Sequence, residues 1–264
     1  MPVVPAGGKS AAPDRQRHRA ATESRHRKPL ALIADVLHNV VMQSGRWFQS
    51  LPADVRKEIA QHARMRRFRE GSAIFREGDA NTGLHWLRDG RVRISGFAHD
   101  GTEALMAMLQ PGDWTGFLAN LDGGPYALSA FCETDCDVAT LSPQSVSDIF
   151  EISVARYKLL AKAELRVARR NYYYLVEQEG GPPLQRLAYR LLDLADGPHG
   201  QPEDAPLAAI RISQEQLGAA TRLSRQKVNA CLQQLAGQGL VFVSRGSVSI
   251  IDANALSLIA LREQ

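Results

Sequence analysis

The spacing of hydrophobic residues changes along the chain, and each change predicts a different kind of element. From residue 46 to residue 68 the apolar positions follow helical spacing, which predicts one or two short helices, the second beginning at Pro52. Between Gly71 and Leu141 short β-prone pieces alternate with Gly- and Asp-rich turns, about one turn every ten residues. This texture is typical of an antiparallel sandwich or barrel, and we expect no helix there longer than a couple of turns.

A heptad pattern follows the β region. Apolar residues recur at alternating spacings of four and three, with one polar interruption at Lys158. The pattern predicts a long helix, roughly Ile152 to Glu179, whose stripe pairs with a second copy of the chain. Alternatively, the stripe packs on its own β domain, since Tyr157 lies beside it. The predicted seam consists of Val154, Ala161, Leu165, Ala168, Tyr172 and Leu175.

Two glycines and two prolines at 180–183 end the long helix, and helix signals resume after them. Ser213 and Gln216 have the spacing of a capping box, and Ser224 is placed to cap the next helix. The elements predicted here are an amphipathic helix over 184–195, a Gly/Pro loop over 196–206, two short helices starting after Ser213 and Ser224, a hairpin around 244–246, and a last helix capped by Asp252.

Composition narrows the classes of protein that fit. The net charge is +4, but residues 1–29 hold seven Lys and Arg against two acidic residues, so the rest of the chain is slightly acidic. Three cysteines without a CxxC pair favour a reducing compartment, and we expect a cytoplasmic protein. The longest apolar run, over 30–42, is interrupted by polar residues and is shorter than the roughly 20 residues that a membrane span needs. No membrane partner is expected.

Several motifs occur in an order that resembles one protein family. The β region reads Phe68-Arg-Glu-Gly, Ile74-Phe-Arg-Glu-Gly-Asp, Asp89-Gly-Arg-Val-Arg-Ile and Leu121-Asp-Gly-Gly-Pro, and the C-terminal region reads Ile212-Ser-Gln-Glu-Gln-Leu-Gly and Leu223-Ser-Arg-Gln-Lys-Val-Asn. Together they resemble the cyclic AMP receptor protein and fumarate–nitrate regulator (Crp/Fnr) family of bacterial transcription factors. The resemblance covers about 46–261 and occurs independently in two halves.

The resemblance implies an α+β protein with an antiparallel β-barrel of the jelly-roll type, a long dimerisation helix and a C-terminal winged helix-turn-helix. The implied segments are a basic, disordered extension over 1–45, an effector domain over 46–150, the dimerisation helix over 151–180 and a DNA-binding domain over 181–264. A translation start at Met42 is an alternative to the extension. The expected partners are double-stranded DNA, a second copy of the chain and, for an activator, RNA polymerase.

A helix that begins with Ser-Arg-Gln-Lys presents hydrogen-bonding side chains at its N-terminus, where a DNA major groove can receive them. Charges of this kind are often only a solvated helix face, but the capping box, the second cap and the following hairpin favour DNA binding. The family's turn glycine is replaced by Arg222, which costs about 1 kcal/mol if that backbone is left-handed. The predicted DNA-binding residues are Ser213, Arg222, Ser224, Arg225, Gln226, Lys227, Asn229 and Arg245.

The β region departs from the family where cyclic nucleotides bind. Family members that bind them carry a glutamate just after the glycine at 116 and an arginine just after the proline at 125, whereas this chain has Phe117 and Tyr126. Arg93 is the one Arg or Lys between Val92 and Ala155, so a cyclic phosphate lacks a cation there. Cyclic AMP is therefore an unfavourable effector. The pocket either accepts a neutral or apolar ligand or is filled by its side chains, Trp114, Phe117, Leu118, Tyr126 and Leu128.

The sequence gives little support for a metal site or for an enzyme active site. Residues 1–131 lack cysteine, which excludes the family's N-terminal iron–sulfur cluster, and the paucity of histidine disfavours a cupin-type metalloenzyme. We expect no metal, no resident cofactor and no catalytic residues, although the sequence leaves room for haem, through His85 or His99, or for another small effector. Cys132 and Cys136 form either a redox pair or two structural thiols. A third interpretation is a ligand-binding or scaffold module that has lost DNA binding.

Overall fold

The computed structural model describes residues 46–196 and 209–260. The predicted extension over 1–45 and almost all of the predicted loop over 196–206 lie outside the described residues. Within the described part, an N-terminal β domain is joined by one long helix to a small C-terminal domain of helices and a hairpin.

Two short helices precede the first strand. Helices α1 (Arg46–Gln49) and α2 (Ala53–His62) lie where helical spacing predicts them, and Pro52 is the N-cap of α2. The predicted helical stretch is too long, because its last five residues form strand β1 (Arg64–Phe68). Ala63 adopts an extended conformation that ends the helix, and β1 then pairs antiparallel with a strand about 70 residues later in the chain.

Two four-stranded antiparallel sheets form the β domain. Their strands are β1, β2 (Ala73–Phe75), β3 (Leu84–Asp89), β4 (Val92–Phe97), β5 (Glu103–Leu109), β6 (Trp114–Thr115), β7 (Ser129–Cys132) and β8 (Cys136–Leu141). One sheet has the order β1-β8-β3-β6 and the other β2-β7-β4-β5, and one apolar cluster takes side chains from both. The two sheets therefore pack face to face. The expected antiparallel β domain is thus confirmed, although among the described residues its two sheets stay separate and do not close into one barrel.

Three helices lie within or directly after the β region of the chain. Helix α3 (Phe117–Asp122) interrupts the β region for fewer than two turns, as expected. Helix α4 (Pro143–Phe150) was not predicted, although Ser142 followed by a proline is a helix-start signal, and the Ser142 hydroxyl accepts a hydrogen bond from the backbone N–H of Ser145. Helix α5 (Val154–Gly180) is the long helix that the heptad pattern predicts.

The C-terminal domain contains α6 (Pro183–Asp196), α7 (Gln214–Thr221), α8 (Arg225–Gly237), the hairpin β9 (Val241–Ser244) and β10 (Ser247–Ile250), and α9 (Ala253–Ala260). Its apolar core also includes Leu105 and Met108 of strand β5. The two domains are therefore in direct contact, with the C-terminal domain resting on β5.

Candidate functional site: a DNA interface and an effector cavity

A helix-turn-helix is built by α7 and α8. The Ser213 hydroxyl accepts from the Gln216 backbone N–H at 3.1 Å, and the Gln216 side chain accepts from the Ser213 backbone N–H at 2.9 Å, which completes the predicted capping box. In the turn, Arg222 has φ 51° and ψ 35°, which is the left-handed conformation that glycine normally supplies. Ser224 then caps α8 by accepting from the Lys227 backbone N–H at 3.3 Å.

The outer face of α8 is free of contacts with the protein core. Val228, Cys231, Leu232 and Leu235 are buried on the opposite face, and this anchors the helix in its domain. The predicted base-reading and phosphate-binding residues, Arg225, Gln226, Lys227 and Asn229, are all exposed. The structure thus brings these four side chains to one accessible helix end.

The remaining predicted DNA-binding residues lie on neighbouring elements of the same domain: Ser213 and Arg222 cap the two ends of α7, and Arg245 lies in the hairpin. Asn229 accepts a hydrogen bond from the Gln214 side chain at 3.3 Å, so the two helices present a joined polar surface. Arg245 is exposed at the tip of the β9–β10 hairpin, whose other face contributes the buried Val248 to the core. The hairpin lies where the wing of a winged helix-turn-helix is expected.

A cavity of about 190 Å³ lies between the β sandwich and helix α5. All five residues that the sequence singled out, Trp114, Phe117, Leu118, Tyr126 and Leu128, line it. The structure therefore brings them together around a space, rather than filling the space with them. The wall that α5 supplies, which the sequence reasoning did not identify, consists of Glu164, Val167, Arg170 and Asn171. Their recurrence at helical spacing beside the seam was the available signal.

Tyr126 is held inside the β domain by a hydrogen-bond network. Its hydroxyl accepts from the Thr82 backbone N–H at 3.0 Å and lies 3.0 Å from both His85 Nε2 and the Gly83 carbonyl oxygen. The ring of Phe75 stacks on it at 3.8 Å. Burial, with a smaller contribution from Arg66, lowers the pKa of His85 to about 4, so the imidazole in this network is neutral at pH 7.

The residues at the start of α3, Gly116 and Phe117, are also closely packed inside the β domain. Gly116 has φ 94°, and a β-carbon there would lie 2.6 Å from the Gly83 carbonyl oxygen, which explains the glycine. Phe117 follows it, is buried, and packs edge-on against Trp47 with ring centroids 4.7 Å apart. The Phe117 side chain therefore offers no hydrogen-bonding group to a ligand's sugar or phosphate.

The cations near the cavity are already paired. Arg93 forms an ion pair with Glu103 and donates from Nε to Glu133 at 2.7 Å, and it is not among the residues that line the cavity. Arg170 does line the cavity, but its Nε lies 3.0 Å from Asp193 Oδ1 in helix α6. The cavity is therefore lined mainly by apolar side chains, with Glu164 as its carboxylate.

A buried arginine links the two domains. Arg190 of α6 is 1% exposed, pairs with Asp193, and donates from Nη2 to the carbonyl oxygens of Leu105 and Met106 at 2.7 and 2.8 Å. Its guanidinium lies 4.6 Å from the ring centroid of Tyr174, whose hydroxyl donates to the Ala220 carbonyl oxygen at 2.5 Å. Since Met106 also lines the cavity, this link runs from the cavity wall to the helix-turn-helix.

The predicted seam lies on the outer face of α5. Val154, Leu165, Tyr172 and Leu175 are 71%, 64%, 69% and 50% exposed, while Ala161 and Ala168 are partly buried. The opposite face packs on the protein itself through Leu160, Ala163 and Tyr174. The four large side chains of the seam are therefore accessible to a partner, while its two alanines are partly covered by the chain itself.

Both β-domain cysteines are buried. Burial, reinforced by the neighbouring Cys136 thiol, raises the pKa of Cys132 to about 12, which disfavours the reactive thiolate. The histidines considered for haem are also outside the cavity lining: His85 is engaged in the Tyr126 network and His99 is exposed. In the described ranges, 46–196 and 209–260, three or more His, Cys, Asp or Glu side chains nowhere group as metal ligands. No helix in these ranges is long and apolar enough to cross a membrane.

Comparisons with known proteins match both halves of the chain. Residues 65–153 match the cyclic nucleotide-binding domain, and residues 185–259 match the Crp-like helix-turn-helix domain. The transcriptional regulator LdrP of Thermus thermophilus is 30% identical over 192 residues, which is 73% of this chain and 94% of LdrP. The CRP-like cAMP-activated global transcriptional regulator of Mycobacterium tuberculosis is 29% identical over 194 residues, covering 72% of this chain and 85% of that protein.

Solved structures share the fold. FixK2 from Bradyrhizobium japonicum superposes with a TM-score of 0.65 at 20% identity, covering 76% of this chain and 99% of that one. A CRP-family transcriptional regulator from Thermus thermophilus superposes with a TM-score of 0.55 at 28% identity, covering 74% of this chain and 96% of that one. This chain thus shares its overall fold with both of these proteins.

Proposed function

Since the chain belongs to the Crp/Fnr family of DNA-binding transcriptional regulators, we propose that it binds an inverted repeat as a homodimer and that cyclic AMP is not its effector. The observation that carries the DNA part is the exposed N-terminal end of α8, where Arg225, Gln226 and Asn229 share one accessible face. Its cap at Ser224 and its buried anchor at Val228 hold this face in a fixed orientation.

Each exposed side chain has a role that follows from its chemistry. Arg225 can form a bidentate pair with guanine, and Gln226 can pair with adenine because its amide both donates and accepts. Lys227 contacts phosphate and sets the register without reading sequence. A twofold dimer places two such helices on one side of the duplex, so the half-site centres lie about one helical turn, roughly 34 Å, apart.

The test begins with sequencing the genomic DNA that the full chain captures, which supplies the specific site. Arg225→Ala should then cost about 1–3 kcal/mol on that site and little on random DNA. Lys227→Ala should weaken binding to both DNAs alike and reduce the salt slope by about one unit. Equal losses on both DNAs for Arg225→Ala would remove this residue from base reading.

The dimer is supported by the seam on α5. Four large apolar side chains of the seam are at least half exposed over six helical turns, and exposed apolar surface of this extent marks an interaction site. The full stripe from Val154 to Leu175, which includes Lys158 and the two alanines, has the alternating spacing of four and three that is typical of a two-stranded parallel coiled coil. A second copy, whose own stripe is identical, is the partner that this geometry fits.

The exclusion of cyclic AMP is supported by the side chains in the expected binding positions. Tyr126 is committed to Thr82, Gly83 and His85, and Phe117 to aromatic packing. An anion in this cavity would meet Glu164 and an arginine already paired with Asp193. Burying an incompletely paired phosphate is costly, so the cavity disfavours a cyclic nucleotide.

Because the Mycobacterium tuberculosis relative is described as cAMP-activated, cyclic AMP is the first ligand to test. At about 1 mM it should change neither the melting temperature nor the DNA affinity of this chain. A site with a micromolar dissociation constant would add about 4 kcal/mol of stability at a thousandfold excess, so the measurement is sensitive. A clear upward shift in melting temperature would overturn this part of the proposal.

The cellular location and a further partner follow from this proposed function. We propose that the protein acts on DNA in the cytoplasm, and that RNA polymerase is its further partner if it activates transcription. Mapping bound sites relative to transcription starts separates the two modes: sites upstream of a promoter fit an activator, and sites overlapping it fit a repressor.

A further inference from the structure

One carboxylate in the cavity wall lacks a counterion in the part of the chain that the structure describes. Glu164 lies on the inner face of α5, and it has no hydrogen-bond or ion-pair partner among the described residues. Its neighbours at three and four positions along the helix are Leu160, Ala161, Val167 and Ala168, so no cation lies one turn away on α5. Arg170, six positions further along α5, also lines the cavity, but it is paired with Asp193. Burial raises the pKa of the Glu164 carboxyl, and the nearby Asp122 carboxylate raises it further.

The other residues that line the cavity determine which kind of ligand fits beside Glu164. Phe75, Leu109, Phe117 and Leu128 supply apolar and aromatic surface opposite α5. Asn171 lies seven residues after Glu164, about 10.5 Å further along the helix axis, and adds an amide to the same wall. The volume of about 190 Å³ is smaller than a typical drug-binding pocket, which limits a ligand to roughly a dozen non-hydrogen atoms.

We propose that this cavity binds a small, mostly aromatic molecule carrying a protonated amine, with the Glu164 carboxylate as the partner of the ammonium group. The inference rests on the proposed function, in which the cavity is the effector site and cyclic AMP is not its ligand. An unpaired, partly buried carboxylate is unfavourable, and an ammonium group brought by a ligand removes that cost while the apolar body fills the remaining space.

The position of Glu164 also places such a ligand where it affects the dimer. Leu165 and Ala168 of the seam are the next residues along the same turns of α5, one position away from Glu164 and Val167. A ligand that contacts Glu164 therefore sits behind the helix surface that pairs two chains, and it also lies against Met106, beside the Arg190 link.

The test uses three probes that share one indole ring and one two-carbon chain: tryptamine, tryptophol and indole-3-propionate. They end in an ammonium, a hydroxyl and a carboxylate. Calorimetric titration of the full chain should give tryptamine an affinity at least about tenfold higher than that of indole-3-propionate, a difference of about 1.4 kcal/mol. Glu164→Gln should weaken tryptamine at least about tenfold and leave tryptophol nearly unchanged.

Matched variants distinguish loss of the Glu164–ammonium contact from a general loss of folding or binding. Glu70→Gln removes an exposed carboxylate of the β domain and should leave all three affinities unchanged. Glu164→Asp retains the charge and should retain the preference for tryptamine, which keeps the test decisive if the glutamine variant folds poorly. Equal binding of the ammonium and carboxylate probes, an unchanged tryptamine affinity in Glu164→Gln, or no binding of any probe at about 5 mM would each overturn the inference. Micromolar binding of cyclic AMP in the same titration would instead overturn the proposed function.

Discussion

Replacing Arg190 by methionine tests whether the buried link holds the DNA-binding domain against the β domain. The substitution keeps an apolar stem of similar shape but removes two charge-assisted hydrogen bonds, to the carbonyl oxygens of Leu105 and Met106, and the ion pair with Asp193. Removing one partner of a buried ion pair costs about 3–5 kcal/mol. Asp193 keeps Arg170 at 3.0 Å, so we expect the lower end of that range, about 3 kcal/mol.

The distribution of tryptophan makes the assay specific to each domain. All three tryptophans, Trp47, Trp86 and Trp114, lie in the β domain, so their fluorescence during urea unfolding reports that domain alone. Circular dichroism at 222 nm also reports the helices of the C-terminal domain. In the unsubstituted protein the two transitions should coincide. In Arg190→Met the circular dichroism transition should begin at lower urea, since the C-terminal domain loses its support on β5.

Arg169→Met is the matched control, because Arg169 is an exposed arginine on α5. Its effect on stability should stay within about 0.5 kcal/mol. Two results would refute the reasoning: a loss below about 1 kcal/mol for Arg190→Met, or fluorescence and circular dichroism transitions that still coincide. Either would mean that the apolar contact through Leu105 and Met108 holds the domains without the arginine.

Three further substitutions test other parts of the structure. Leu165→Glu puts a carboxylate into the seam at an exposed position, so it should produce folded monomers that lose specific DNA binding; a dimer by light scattering would place the interface elsewhere. Arg222→Gly should raise stability by about 1 kcal/mol because glycine adopts the left-handed turn without strain, whereas Arg222→Ala should not; equal effects in thermal melts would contradict this. Buried His85 stays neutral to about pH 4 while the unfolded histidine protonates near pH 6.5, so stability falls as pH falls through that window, by about 3 kcal/mol in all. His85→Gln should lose less stability than the unsubstituted protein between pH 7 and pH 4.5 in urea titrations, and identical losses would argue against a neutral buried imidazole.

The sequence by itself determined the order of elements and the local chemistry of the DNA-binding region. The capping box at Ser213 and the cap at Ser224 were predictable, because each depends on groups within a few residues of one another. The left-handed turn at Arg222 was only a conditional expectation, from the family resemblance. The long helix was predictable for the same reason, since its heptad spacing is a property of consecutive turns. That Phe117 and Tyr126 stand where the resemblance implies a glutamate and an arginine was likewise an expectation from the sequence.

Tertiary structure decided what depends on contacts between distant segments. Helical spacing ran on into Arg64–Phe68, but pairing with β8 made this segment a strand, and the pairing of distant strands arranged the β region as two separate sheets. Among the arginines of the described residues, Arg190 is the buried one, and its burial depends on carbonyl groups about 85 residues earlier in the chain. The sequence does not distinguish Glu164 from the other polar residues of α5. Its place in the cavity wall follows from the packing of the sandwich against the helix. Burial and pairing of charges arise from the whole arrangement of the chain, and a local pattern therefore does not specify them.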